Sequence, residues 1–191
     1  MDVRDEVRNT FPELAEIDDK ELRSGVVEAW ALALEENDTP ALPSIPWLSP
    51  YQTAIGITGE LLADHIRDVT AAAVGITEAF VERRDAAIDL DAVIAGALVH
   101  DVSQLGEVDG GEWTRTGRLL GHPYYGVYVT RAAGLPVEIQ HVVLSHTAAT
   151  DVAPATLEAD IVRQADAATA NAIRARAYDD LRDAPPAGPY P

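Results

Sequence analysis

Apolar residues recur at helical spacing along most of the chain. Leu22, Val26, Ala29, Trp30 and Ala33 fall three or four apart, which predicts an amphipathic helix running to about Glu36. Ahead of them, Asp18-Asp19-Lys20-Glu21 reads as a capping box, with an acid at the N-cap and Glu at N3. Thr58 predicts the cap of a second helix reaching about Ile76. Asp89 opens a third, whose apolar side is Leu90, Val93, Ile94, Ala97 and Leu98. Pro123 suits a helix start and Gly134 its close, and Pro136 starts the next helix, through His141 and His146. Thr156 caps a long helix reaching about Arg182. Pro40, Pro43, Pro46 and Pro50 rule out a regular helix across 40–50, and the Gly-rich stretch from Gly106 to Gly111 reads as a loop. There is no β alternation of useful length and no internal repeat. The pattern predicts an all-α fold.

The chain divides into three parts. Residues 1–50 supply an N-terminal helix and a proline-rich connector, which Trp47, Leu48 and Tyr51 pack against the rest. Residues 51–183 form the main helical domain. Residues 184–191 form a proline-rich tail expected to be disordered.

Composition narrows the chemistry. The 191 residues include no cysteine, so disulfides and thiolate ligands are excluded, and any metal must be held by nitrogen and oxygen. Thirty-two acidic residues against fourteen basic ones give a formal charge of −18, and Lys20 is the single lysine. Such a surface repels nucleic-acid polymers and anionic membranes. It also repels free phosphates, so a phosphate-handling site needs local positive charge, which a cation supplies. Carboxylates spread along the whole chain, with lysine nearly absent, suggest adaptation to a salt-rich (halophilic) cytosol, where salt screens these repulsions. The longest apolar run, Val93 to Val99, is too short to span a bilayer, and Met1 to Thr10 lacks the apolar middle of a signal peptide. A cytoplasmic protein is expected.

Several polar residues fall on inward faces. His65 shares a helical face with Leu61, Leu62, Val69 and Ala72. Asp101 follows the stripe of Ala97 and Leu98, and Asp166 aligns with Val162 and Ala170. A carboxylate at a core position is costly unless it is paired or metal-bound. Singly, each residue has an ordinary structural explanation: a hydrogen-bonded core histidine, a cap, an ion pair. Together, on three predicted helices, they point to one shared cation.

The order His65, His100-Asp101, Asp166 resembles the HD superfamily of metal-dependent phosphohydrolases, over roughly residues 55 to 175. Ala-Leu-Val-His-Asp-Val (97–102) is similar to the lead-in and HD pair. Gly-His-Pro-Tyr-Tyr-Gly-Val (121–127) and the segment 134–146 resemble those that carry further histidines. Residues 156–166, ending in Ala-Asp, resemble the last motif, which favours Asp166 over Asp160.

The resemblance implies an HD-domain helical bundle in which His65, His100, Asp101 and Asp166 hold one divalent ion. His122 and His146 match the histidines that hold a second, with Asp101 bridging. His141 falls off that face and is read as a surface or packing residue. Mixed imidazole and carboxylate ligands suit Mn, Fe, Co, Ni or Mg, with Zn also open. The implied reaction is cleavage of a phosphate ester of a nucleotide or small metabolite by metal-activated water, a monoester slightly preferred over a diester. Three residues beyond the motif aspartate, related branches carry lysine or glutamate, whereas this chain has Gln104, a hydrogen-bonding group without charge. Arg118 is the candidate grip on phosphate. Glu107 or Asp109 could serve as acid or base, although solvated loop charges are the ordinary reading of both. Two alternatives stay open: a non-catalytic, metal-stabilised module that senses a nucleotide or binds a protein, and a di-iron oxygenase. The expected partner is a small phosphorylated substrate, with neither polymer nor membrane; the N-terminal helix with the Trp47 segment reads first as ordinary core packing, with a cover over the site or a homodimer contact as alternatives.

Overall fold

A computed structural model describes residues 2–37, 41–47, 52, 55–109 and 111–184. Among them run eight α-helices: α1 (Val3–Thr10), α2 (Lys20–Asn37), α3 (Leu62–Arg84), α4 (Leu90–Val99), α5 (Arg115–Leu119), α6 (Gly121–Ala132), α7 (Val137–Ser145) and α8 (Leu157–Arg174). Two two-residue strands, β1 (Val108–Asp109) inside the predicted loop and β2 (Glu112–Trp113) just beyond it, pair antiparallel. The fold is all-α, as the apolar periodicity predicts.

Helix α4 is the axis of the bundle. Every residue from Val93 to Val99 is buried, and α2, α3, α7 and α8 all pack on it. The Asp89 carboxylate starts it by accepting the Ala92 N–H at 3.1 Å. Because this helix is covered on all sides, its sequence is apolar all round. His100 and Asp101 follow its last turn and therefore emerge inside the protein.

The N-terminal segment belongs to the same core. Helix α1 carries a narrow apolar stripe, Val3 and Val7 leading to Phe11, which buries Val7 and sets Phe11 against Trp30, ring centroids 5.2 Å apart. Trp30 is fully buried and donates from Nε1 to the Leu98 carbonyl at 2.8 Å, tying α2 to α4. The cap of α2 is Asp19, whose Oδ1 accepts from the Glu21 and Leu22 N–H groups. The reciprocal half of the expected capping box is absent, because the Asp18 and Asp19 N–H groups go to the Asp91 carboxylate instead.

Helix α3 starts at Leu62, later than Thr58 suggests. Gly59 takes a positive φ of 79°, and the connector holds the chain extended beyond it. Trp47 N–H donates to the Glu60 carbonyl, Leu62 N–H donates to the Ile45 carbonyl, and Pro46 bridges to Leu61. The helix then runs past Ile76 to Arg84, where Asp85 adopts the left-handed conformation. Helix α8, capped by Thr156, stops at Arg174 rather than near Arg182. The chain turns there, and the Tyr178 hydroxyl donates to the Ile55 carbonyl at 2.9 Å. Trp47 is buried, as expected of a packing residue. Leu48, Tyr51, Pro40, Pro50 and the 185–191 part of the tail lie outside the described residues. No helix among the described residues is long and apolar enough to cross a membrane.

Candidate metal centre

Five elements deliver the polar cluster. His65 comes from the first turn of α3, His100 and Asp101 from the end of α4, and His122 from the first turn of α6. His146 caps the C-terminus of α7, and Asp166 lies mid-way along α8. All six are buried or nearly so: the four imidazoles and Asp101 keep 0–5% of their side-chain surface exposed, and Asp166 keeps 20%.

Asp101 divides the cluster in two. Its Oδ2 faces His65 Nε2 at 3.6 Å and His100 Nε2 at 3.4 Å. Its Oδ1 faces His122 Nε2 and His146 Nε2, each at 3.4 Å. Asp166 Oδ1 completes the first half, 3.2 Å from His65 Nε2 and 3.8 Å from His100 Nε2. In the second half, His122 Nε2 and His146 Nε2 lie 3.2 Å apart. Two sets of donor atoms, His65-His100-Asp166 and Asp101-His122-His146, are each compact enough to hold one metal ion.

These atoms fit a cation better than they fit one another. Ligands about 2.1 Å from an ion lie roughly 3.0–3.4 Å apart in octahedral or tetrahedral geometry, close to the separations observed. His65 Nδ1, His65 Nε2 and His100 Nε2 are buried with no hydrogen-bond partner. The His65–Asp166 pair is close enough for a hydrogen bond yet misaligned for one. Buried polar atoms left in this way are costly unless something else satisfies them. The tautomers agree. His100 Nδ1 sits 2.7 Å from the Ala97 carbonyl and His146 Nδ1 is 2.7 Å from that of Val143. Each carbonyl requires an Nδ1–H, which leaves the Nε2 lone pair facing the cluster.

Electrostatics without an ion show the strain of the arrangement. Burial pulls His100 down, but Asp101 foremost and Asp166 outweigh it and push its pKa up to about 9. Burial likewise opposes the charge on His122, and the Glu107 hydrogen bond with the Asp101 charge turns the shift upward. On His146 burial wins and the pKa falls. Burial would raise Asp101, yet His100 first, then His146 and His122, hold it well below the usual carboxylate range. Asp166 is lowered in the same way, with His65 and His100 overcoming burial.

Glu107 departs from expectation. Instead of a solvated loop charge it is buried, and its Oε1 accepts from the His122 backbone N–H at 2.6 Å and lies 3.2 Å from His122 Nδ1. The hairpin brings it there, with Thr114 N–H and hydroxyl donating to the Glu107 and Gly106 carbonyls. Asp109 is exposed on β1. Gln104 is half-buried in the turn after Asp101, and Arg118 is exposed on α5. His141 stays out of the cluster and accepts the Ala155 N–H at its Nε2, a packing role. Asp160 is exposed beside Gln164, which leaves Asp166 as the α8 carboxylate of the cluster.

Residues 62–171, more than half of the chain, match the family model of the HD domain, and the chain belongs to that family. No curated protein and no solved structure matches it. HD domains bind divalent metals, and the buried histidine and aspartate groups here are able to hold one.

Proposed function

We propose that the chain is a metal-dependent phosphohydrolase acting on a phosphate ester of a nucleotide or other small metabolite, a monoester in preference to a diester. The observation that carries the reading is the division of Asp101 between two pairs of inward-facing imidazoles. His65, His100 and Asp166 would hold one divalent ion, His122 and His146 a second, and Asp101 would bridge.

Divalent ions so held supply Lewis-acid polarisation of a phosphoryl oxygen and acidify water at neutral pH. The protein's own contribution is positioning. The Ala97 and Val143 carbonyls lock two imidazoles in the tautomer that presents Nε2. Trp47, whose ring centroid is 4.9 Å from that of His65, covers one side and excludes bulk water from that imidazole. Gln104, three residues beyond Asp101, carries an amide that can orient a phosphoryl oxygen or a water, but neither takes nor gives a proton. Arg118 is assigned an outer contact with phosphate. The net charge of −18 favours a small substrate drawn to a local cation over an anionic polymer, and a high-salt cytoplasm would suit the same surface.

The divided carboxylate also suits a paired-iron oxygenase, and Gln104 keeps a sensing module in view. A panel of phosphorylated metabolites, run against Mn²⁺, Co²⁺, Fe²⁺ and Mg²⁺ at high salt, separates them. Metal-dependent phosphate release, lost in Asp101→Ala, supports the hydrolase. Two irons per chain with oxygen uptake and no phosphate release supports the oxygenase. Tight nucleotide binding without turnover supports the sensor.

A further inference from the structure

The charge surplus of this chain makes every cation near the centre informative, and one guanidinium is left in an unusual state. Arg174 closes α8, the helix that carries Asp166. Its Nη1 donates to Asn171 Oδ1 at 3.3 Å, while its Nε and Nη2 are buried without any hydrogen-bond partner. No other described arginine has buried nitrogens without partners. Arg4 is paired with Glu28, Arg67 with Glu13, Arg176 with Glu60 and Arg182 with Asp180, and Arg163 donates to the Ser145 carbonyl.

The identity of the two nitrogens matters. Nε–H and Nη2–H form the straight edge of the guanidinium, the pair that grips two oxygens of a phosphate or carboxylate side by side. That edge is left unpaired while the remaining nitrogen is held by Asn171. Withdrawing such an edge from water without a partner is unfavourable, so the arrangement reads as one completed by an anion.

Position supports this. Arg174 follows Asp166 by eight residues, a rise of about 12 Å along the helix, and side chains on a helix lean back towards its N-terminus. Eight residues also carry the side chain about 80° round the helix from Asp166, so the guanidinium leans back towards the level of Asp166 from the adjoining face. Asp166 is also the least buried of the six cluster residues, at 20% against 0–5%. Burial depresses the guanidinium, and the Asp166 charge opposes that depression.

We propose that the Nε/Nη2 edge of Arg174 grips phosphate at this centre, binding two oxygens of a phosphoryl group beside Asp166, inward of the outer contact given to Arg118. The placement rests on the metal-dependent phosphohydrolase reading, but the test needs no turnover. Inorganic phosphate is titrated into the full, metal-loaded chain by calorimetry, with metal content and thermal melting followed in the same samples. Arg174→Ala should weaken phosphate binding at least tenfold while metal content and melting stay as in the unaltered chain. Arg174→Lys should recover little of it, because an ammonium keeps the charge but lacks the two-donor edge. Arg176→Ala, which removes an exposed guanidinium paired with Glu60, should bind as the unaltered chain does. Phosphate binding by Arg174→Ala within twofold of the unaltered chain would overturn the assignment. So would an unaltered chain that takes up metal but no phosphate at millimolar concentration, or full binding by Arg174→Lys. A chain that binds phosphate through Arg174 yet hydrolyses no ester would sink the hydrolase reading alone.

Discussion

Glu107 accepts both the backbone and the ring N–H of His122, through a single carboxylate oxygen. A partner of this kind fixes the tautomer and rotation of a metal-facing imidazole and raises its basicity, and its loss typically lowers metal affinity about 10- to 100-fold. Glu107→Ala should therefore weaken the ion on the His122-His146 side by that order and leave the His65-His100-Asp166 side filled. Glu107→Gln, which retains an acceptor oxygen, should lose less. Metal per chain, measured by emission spectrometry across a free-metal series, reads both. Equal loss on the two sides would count against this role.

The two halves of the cluster should also separate under mutation. His146→Ala removes a donor from the Oδ1 side of Asp101 only, and His65→Ala from the Oδ2 side only. Each should lower the stoichiometry of metal binding by one ion, and Asp101→Ala should disturb both. Calorimetric metal titration of the three variants checks this.

In the metal-free protein the His100 pKa stands at about 9 against an ordinary 6.5. Its contribution to stability is fully present below about 6.5 and is lost as pH rises through about 9. His122 is shifted the same way, and His146 the opposite way. A metal entering at pH 7 must displace the proton on His100. Metal uptake should release protons and strengthen as pH rises from 6.5 towards 9, which indicator titrations in weak buffer would show. Uptake independent of pH over that range would contradict the assignment of His100 as a ligand.

Packing reaches the centre through Gly126. A Cβ there would collide with Val143 and with the Ser103 hydroxyl, so the glycine is what lets α6 approach α7. Overpacking of this kind costs roughly 1–3 kcal/mol. Gly126→Ala should lower the melting temperature and also weaken metal binding on the His122-His146 side, because those two residues sit on the helices being pushed apart. A stability loss without any metal defect would show that the helices re-seat without moving the imidazoles.

The centre was legible where chemistry and periodicity coincided. His65 and Asp166 occupy apolar stripes, and His100-Asp101 ends an apolar run, so burial of their polar groups followed from the residue pattern. Helix ends were less legible. Thr58 looks like a cap, but backbone pairing between the connector and Glu60-Leu62 delays α3, a tertiary effect that no local signal carries. Arg174 ends α8 early because the chain turns back to Ile55, again a long-range contact. Val3, Val7 and Phe11 recur every four residues, so helix α1 was legible in principle, but its stripe is one residue wide and set among charges. In the sequence Glu107 reads as a solvated loop charge for the same kind of reason. Its burial is created by a two-residue hairpin and the start of α6, and its partner lies fifteen residues on. Among the signals in the chain, only an acid sandwiched between Gly106 and Val108, ahead of Thr114 and Gly117, could have hinted at a packed turn.

The central claim is that donor atoms from five separate elements gather round divalent cations. Anomalous diffraction at the manganese edge, from crystals of the whole chain grown with Mn²⁺, addresses it directly. The account predicts a peak within about 2.0–2.3 Å of His65 Nε2, His100 Nε2 and an Asp166 oxygen, with a second between His122 and His146, Asp101 reaching both. Manganese found only at surface carboxylates, with the six side chains closed on one another, would contradict it.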